Sequence, residues 1–211
     1  MLIVKGIGFQ YDEKNKFNIP DISLNAGEDL LILGQSGSGK TTLLNIIGGL
    51  LQPHSGEVII NNTSIYQLKG AALDKFRGNH IGIVFQKPHI LSALTVRENL
   101  QLAAYFAKGK ENDKIDFILK ELNIDPKAEA KISTLSEGEA QRVSIARALV
   151  NTPKVILADE PTSSLDDVNA EKVITLLQAQ AKKLSAVLIV VTHDQRVKKH
   201  ISNQIIVGGK K

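Results

Sequence analysis

The 211-residue sequence has no cysteine. That excludes a disulfide framework and any thiolate metal site, and it favours a reducing compartment. Long apolar runs are absent too. The longest purely hydrophobic stretches, such as Val187 to Val191, fall far short of the ~20 residues needed to span a bilayer. Any membrane role must therefore come through a partner. The N-terminus, MLIVKGIGFQ, lacks a basic segment followed by an extended apolar core, so it carries no signal-peptide pattern. There is no internal repeat and no low-complexity tract. Charge of one sign is also modest: the net charge is +4 and the pI about 9.2. Basic residues are dispersed, with only short pairs such as Lys198-Lys199 and Lys210-Lys211. This reads as a solvated surface, and no nucleic-acid partner is expected.

What remains is ordinary globular composition, with 43% hydrophobic and 23% charged residues, enough to bury a core in one large domain or a domain plus a subdomain. The apolar residues gather in runs at Leu30 to Leu33, Ile81 to Phe85, Val155 to Ala158 and Val187 to Val191. Continuous rather than alternating hydrophobicity, rich in β-branched residues, predicts strands buried on both faces of a largely parallel sheet. Helical patterns at Thr41 to Leu51, Ala140 to Val150 and Asn169 to Leu184 lie between them, which is the α/β alternation. Residues 1–28 and 56–66 hold shorter alternating pieces and predict an antiparallel layer. Residues 88–135 predict a helical subdomain, and Lys108 to Lys114 an exposed turn. Each apolar run leads directly into a polar or glycine residue: Gly34, Gln86, Asp159-Glu160 and Thr192-His193. Ligands of open parallel sheets bind beyond the carboxyl ends of the strands, so these exits point to one shared site.

The segment Gly34-Gln35-Ser36-Gly37-Ser38-Gly39-Lys40-Thr41 matches G-x-x-x-x-G-K-[ST] in full, after a strand pattern and before a helical one. Its glycines let the backbone turn N–H groups onto an anion, and the helix that follows adds the positive end of its dipole. Lys40 is placed for the β- and γ-phosphates and the Thr41 hydroxyl for Mg²⁺, with Thr42 completing the ATP-binding set. The strand pattern ending in Asp159 supplies a carboxylate on the Mg²⁺ side. Glu160 follows it immediately, positioned to orient water or accept its proton.

With these come IVFQ ending at Gln86, LSEGE from Leu135, ILADEPTSSLDD and VTHD. The ordered set resembles the ATP-binding cassette ATPases, the motor subunits of ABC transporters, over essentially the whole chain. The stretch NHIGIVFQKPHILSALTVRENL is most similar to the small ATPases of lipoprotein-release and macrolide-export systems. The resemblance implies a P-loop NTPase core, 1–87 and 151–211, carrying the antiparallel layer, with a helical subdomain at 88–150, all within one nucleotide-binding domain of 1–211. It implies Gln86 as a sensor of Mg²⁺ and the attacking water, His193 as the group gripping the γ-phosphate, Glu160 as the catalytic carboxylate, and Asp166 in the loop linking two subunits' sites. Tyr11 is the expected adenine-stacking aromatic, with Phe9 the alternative. A cytoplasmic protein held peripherally at the membrane by a permease is implied as well, as is the absence of an extra C-terminal regulatory domain.

The segment Ser136-Glu137-Gly138-Glu139 is also a capping box, S-x-x-E. A cap alone requires neither Leu135 nor Gly138; Gly138 leaves room for a phosphate to approach the backbone, and the helix dipole favours an anion there. The resemblance implies that Ser136 and Gly138 serve the ATP of a second subunit, in an ATP-dependent homodimer. The family's usual form is L-S-G-G-Q, so Glu137 and Glu139 are departures, and Glu137 brings negative charge near a phosphate. A soluble superfamily ATPase acting on nucleic acid or ribosomes is the alternative. The short interval between Lys40 and Ser136 leaves no room for the long coiled coil of chromosome-structure members. A P-loop kinase or GTPase gives no reason for LSEGE.

Overall fold

The apolar runs become strands whose two faces are both covered. A computed structural model of the chain describes residues 1–10, 16–107, 112–163 and 165–208, and their side chains except at 16–18 and 112–113. In chain order the elements begin with β1 (Leu2–Gln10), β2 (Lys16–Asn18), β3 (Ile22–Leu24), β4 (Asp29–Leu33), α1 (Lys40–Ile47), β5 (Ser55–Ile60) and β6 (Thr63–Ser64). Next come α2 (Ala71–His80), β7 (Ile81–Val84), α3 (Val96–Ala107), α4 (Asn112–Glu121) and α5 (Glu137–Leu149). The chain closes with β8 (Val155–Asp159), α6 (Asp167–Leu184), β9 (Val187–Thr192) and β10 (Gln204–Ile206).

One sheet is parallel, in the order β10-β4-β9-β8-β7, and the other is antiparallel, in the order β2-β1-β5-β6 with β3 also paired to β1. Alternate residues of each central strand enter different cores. Leu31, Leu33, Ile156, Ala158, Leu188 and Val190 pack with α3 to α6. Leu30, Ile32, Val155, Leu157, Val187, Ile189 and Val191 pack with α1 and the antiparallel layer. Burying one such side chain stabilises by roughly 1.5–3 kcal/mol. Neither face can therefore accept a polar residue until the strand ends, which is why the runs are continuous.

Element boundaries depart from the sequence reading in explicable ways. The helix expected to reach Leu51 stops at Ile47, because Gly48 caps it and Gly49 turns left-handed at φ 65°. The helix expected from Ala140 starts at Glu137, directly after its cap. Helix α2 and strand β10 lay outside the reading. The turn expected at Lys108 to Lys114 falls partly outside the described residues, and α4 has already begun by Asn112.

Gly82 sets how closely α5 lies on the sheet. A Cβ there would collide with the Ala148 backbone carbonyl and press on Pro153. Gly82→Ala is therefore expected to lower stability by about 1–3 kcal/mol, read as a drop in the urea or thermal unfolding midpoint.

Candidate nucleotide site

Parallel pairing brings the strand ends level. Leu33 pairs with Thr192, Asp159 with Val191, and Val84 with Ala158. The residues that follow thus meet along one edge. From β4 the chain enters the loop 34–39, where Gly37 (φ 78°) and Gly39 (φ 92°) adopt left-handed backbone closed to most other residues. The Ser38 N–H closes the turn on the Gln35 carbonyl at 3.1 Å.

Lys40 opens α1 and is only 7% exposed. Its ammonium bends back over the loop, donating to the carbonyls of Gly34 (2.8 Å) and Gln35 (3.1 Å). It also lies 3.9 Å from Oε1 of Glu160. The Thr41 hydroxyl donates to Oδ2 of Asp159 at 3.0 Å. Burial pushes the Asp159 carboxyl above the usual carboxylate range, and the neighbouring Glu160 adds to this; the Thr41 hydrogen bond and Lys40 act in the opposite direction. The buried Thr42 lines the same cleft.

Glu160 is the first residue beyond β8 and stands at φ 46°, a strained conformation for a residue with a side chain. Its carboxylate is anchored by the Thr192 hydroxyl at 2.6 Å and by the His193 N–H at 3.2 Å. Nδ1 of His193 lies 2.8 Å from Oε1, while 66% of the imidazole side chain remains exposed. From the end of β7, Gln86 reaches across to donate to the Ser163 hydroxyl at 3.3 Å. The result is a cleft of about 620 Å³ lined by Gln35 through Thr42, Gln86, Glu160 and His193. Asp159 joins through its bond to Thr41.

Other expected residues stand elsewhere. Tyr11 lies outside the described residues. Phe9, the alternative, is buried in the core with its ring 5.5 Å from that of His54, and it does not line the cleft. Asp166 caps α6, accepting from the Asn169 N–H at 2.9 Å. Ser136 and Gly138 are also absent from the cleft lining. Ser136 forms the full capping box: its hydroxyl accepts from the Glu139 N–H at 3.3 Å, and its own N–H donates to Glu139 at 2.8 Å. That second bond holds the Glu139 carboxyl below its ordinary range. Ser136 and Glu137 are exposed.

Sequence reasoning missed the groups that hold the segment after Glu160. The buried Gln141 side chain of α5 donates to the Pro161 carbonyl at 3.1 Å. The Thr162 hydroxyl donates to Asp194 at 2.8 Å. Arg196 forks onto Asp194, drawing its carboxyl down to about 2. VTHDQR displays an Arg close behind the His, but no spacing rule marks its partner.

The ABC transporter family profile matches residues 17–163. The lipoprotein-releasing system ATP-binding protein LolD of Syntrophotalea carbinolica is 41% identical over 180 residues, covering 84% of this chain and 79% of the relative. A putative hemin import ATP-binding protein, HrtA of Staphylococcus haemolyticus, is 43% identical over 84% of this chain and 81% of its own length. Among solved structures, a dimeric post-hydrolysis state of the ATP-binding cassette MJ0796 bound to ADP and Pi superposes with a TM-score of 0.86 at 36% identity, over 99% of this chain and 94% of that one. The cassette cbiO1 from Clostridium perfringens gives a TM-score of 0.87 at 31% identity, over 98% of this chain and 84% of that one. A phosphate loop, a strand-end Asp-Glu pair and a histidine meeting in one cleft, on a cassette fold shared with these proteins, make this chain a member of the ABC transporter family, an ATP-binding subunit that hydrolyses ATP.

Proposed function

We propose that this subunit couples ATP-driven closure of two copies to a separate integral-membrane permease, of the export or lipoprotein-release type. The observation that carries this is the start of α5. Ser136 caps this helix and Gly138 lies in its first turn, the former exposed and the latter half-buried, and neither takes part in its own chain's cleft. Head-to-tail pairing would place it on the nucleotide of a second copy, and the similar MJ0796 cassettes are dimers.

In this reading Gly34 through Thr42 cradle the phosphates, with Lys40 transferring its hydrogen bonds from loop carbonyls to phosphate oxygens. Tyr11 stacks on adenine. Glu160 orients the attacking water, and His193 grips the γ-phosphate. Ser136 and Gly138 complete the neighbour's site, and Asp166 links the two. The residues also suit Mg²⁺. Thr41, Asp159 and Gln86 would hold it, and a cation would favour the ionised Asp159 that burial opposes. Among the described residues no cluster of three acidic or histidine side chains forms a cage of its own, as suits a metal carried in on phosphates. Bound there, Mg²⁺ neutralises charge on the phosphate oxygens.

The permease half of the proposal rests on a groove of about 850 Å³ between α2, β7 and α3. Its walls include Phe85, next to Gln86, and Phe106, which is 70% exposed. Lys75, Arg147 and an Arg77 paired to Asp74 at 3.1 Å line it as well, so an apolar helix with polar ends would fit. No described helix is long and apolar enough to cross a membrane. The protein would thus sit peripherally at the cytoplasmic face, held by its partner. The division into a core (1–87 and 151–211) and a helical arm (88–150) belongs to the same proposal. The arm would carry Ser136 against the neighbouring core.

Lys40→Ala is expected to weaken ATP binding by about 100-fold or more, measured by titration with a fluorescent nucleotide. Glu160→Gln should bind ATP, turn over about 10²–10⁴ times more slowly and elute as a dimer in sizing chromatography with ATP and Mg²⁺. A monomer under those conditions rejects the shared site. Tagged protein recovered from solubilised membranes should bring an integral-membrane protein with it. Recovery of none rejects the permease coupling, and the identity of what is recovered decides between export and import.

A further inference from the structure

One cation beside the cleft has no role in the scheme above. Arg196, in the turn after β9, donates through Nε to Oδ1 (2.9 Å) and Oδ2 (3.0 Å) of Asp194 and through Nη2 to Oδ2 at 2.7 Å. The opposite side of the same guanidinium reaches the β8–α6 segment. Nη1 donates to the Leu165 carbonyl at 3.2 Å and to Asp167 at 2.6 Å, and Nη2 to the Thr162 carbonyl at 3.4 Å. A planar fork with fixed donor directions can hold two segments at a set spacing, which a single ammonium cannot.

The path continues into the cleft. Asp194 donates its N–H to the Thr192 hydroxyl at 2.9 Å, and that hydroxyl donates to Glu160 at 2.6 Å. Asp194 also accepts from Thr162, which is fully buried. The two halves of the fork differ in weight. The Asp194 side chain is 11% exposed, so this half is largely desolvated, and removing its cation would leave a poorly compensated charge. The Asp167 side chain is 88% exposed, so that ion pair contributes little. Energy therefore resides on the Asp194 side and geometry on the Leu165 and Thr162 carbonyls.

We propose that Arg196 is a positioning residue for hydrolysis: it locks the turn bearing His193 to the start of α6 bearing Asp166, so that Glu160 and His193 hold their geometry only when that helix start is in place. The proposal rests on the shared-site reading above and gives it an internal linkage. Arg196 itself does not line the nucleotide cleft.

Arg196→Lys tests it, because lysine keeps a cation beside Asp194, and with it folding, yet cannot reach Asp194 and the Leu165 carbonyl together. The expected result is a fall in kcat for ATP of about tenfold or more, with ATP Kd within about twofold of wild type and an unchanged unfolding midpoint. Arg196→Ala should lose kcat further and also lower the midpoint. Wild-type kcat in Arg196→Lys overturns the proposal, as does a loss of ATP affinity that parallels the loss of kcat. The Glu160→Gln variant separates the two levels. If it forms no ATP-dependent dimer, the shared-site reading fails. If it dimerises while Arg196→Lys turns over at the wild-type rate, only the role of Arg196 falls.

Discussion

Hydrogen-bonded register between β4, β9, β8 and β7 is the constraint on which the rest of the molecule depends. Pairing of Leu33 with Thr192, Asp159 with Val191, and Val84 with Ala158 ends these strands along one edge. Both faces of the sheet are occupied by apolar cores, so the first polar groups can emerge only at that edge. Register and burial together therefore decide where chemistry takes place. A slip of one residue would exchange the two faces of a strand and separate Glu160 from the Thr192 hydroxyl and the His193 N–H that anchor it.

The cleft confines Lys40, Asp159 and Glu160, all nearly buried, within a small volume. Buried charge is costly unless every group finds partners, and here each does. Lys40 uses two loop carbonyls, Asp159 the Thr41 hydroxyl, and Glu160 the Thr192 hydroxyl and the His193 N–H, with Nδ1 of that histidine 2.8 Å away. The ammonium is held over the loop by two carbonyl dipoles, with the Glu160 carboxylate 3.9 Å away.

The segment following Glu160 is held from several directions at once. Gln86 comes from β7, Gln141 from α5, and Thr162 and Arg196 join it to the turn after β9. The cleft lies on one side of it, and on the other the helix α5, whose start stands free of the cleft, is tied to it by one buried amide. That gives a physical connection between the cleft and the helix α5.

The phosphate loop, the Asp-Glu pair and the capping box were legible in the linear sequence because each is a local device. Glycine at positive φ, a carboxylate after an apolar run, and a Ser with Glu three residues on all act within one turn of chain. Continuous apolar runs likewise announced a parallel sheet covered on both sides. The early stop of α1 was missed because Leu50 and Leu51 continue the apolar pattern past the glycine pair that ends the helix. Only the tertiary structure decided that Phe9 belongs to the core, that Lys40 rests on its own loop, and that Arg196 ties two strand exits together. Those outcomes depend on which distant segments the sheet brings side by side, and hydropathy and spacing along a chain carry no information about the identity of a partner across it.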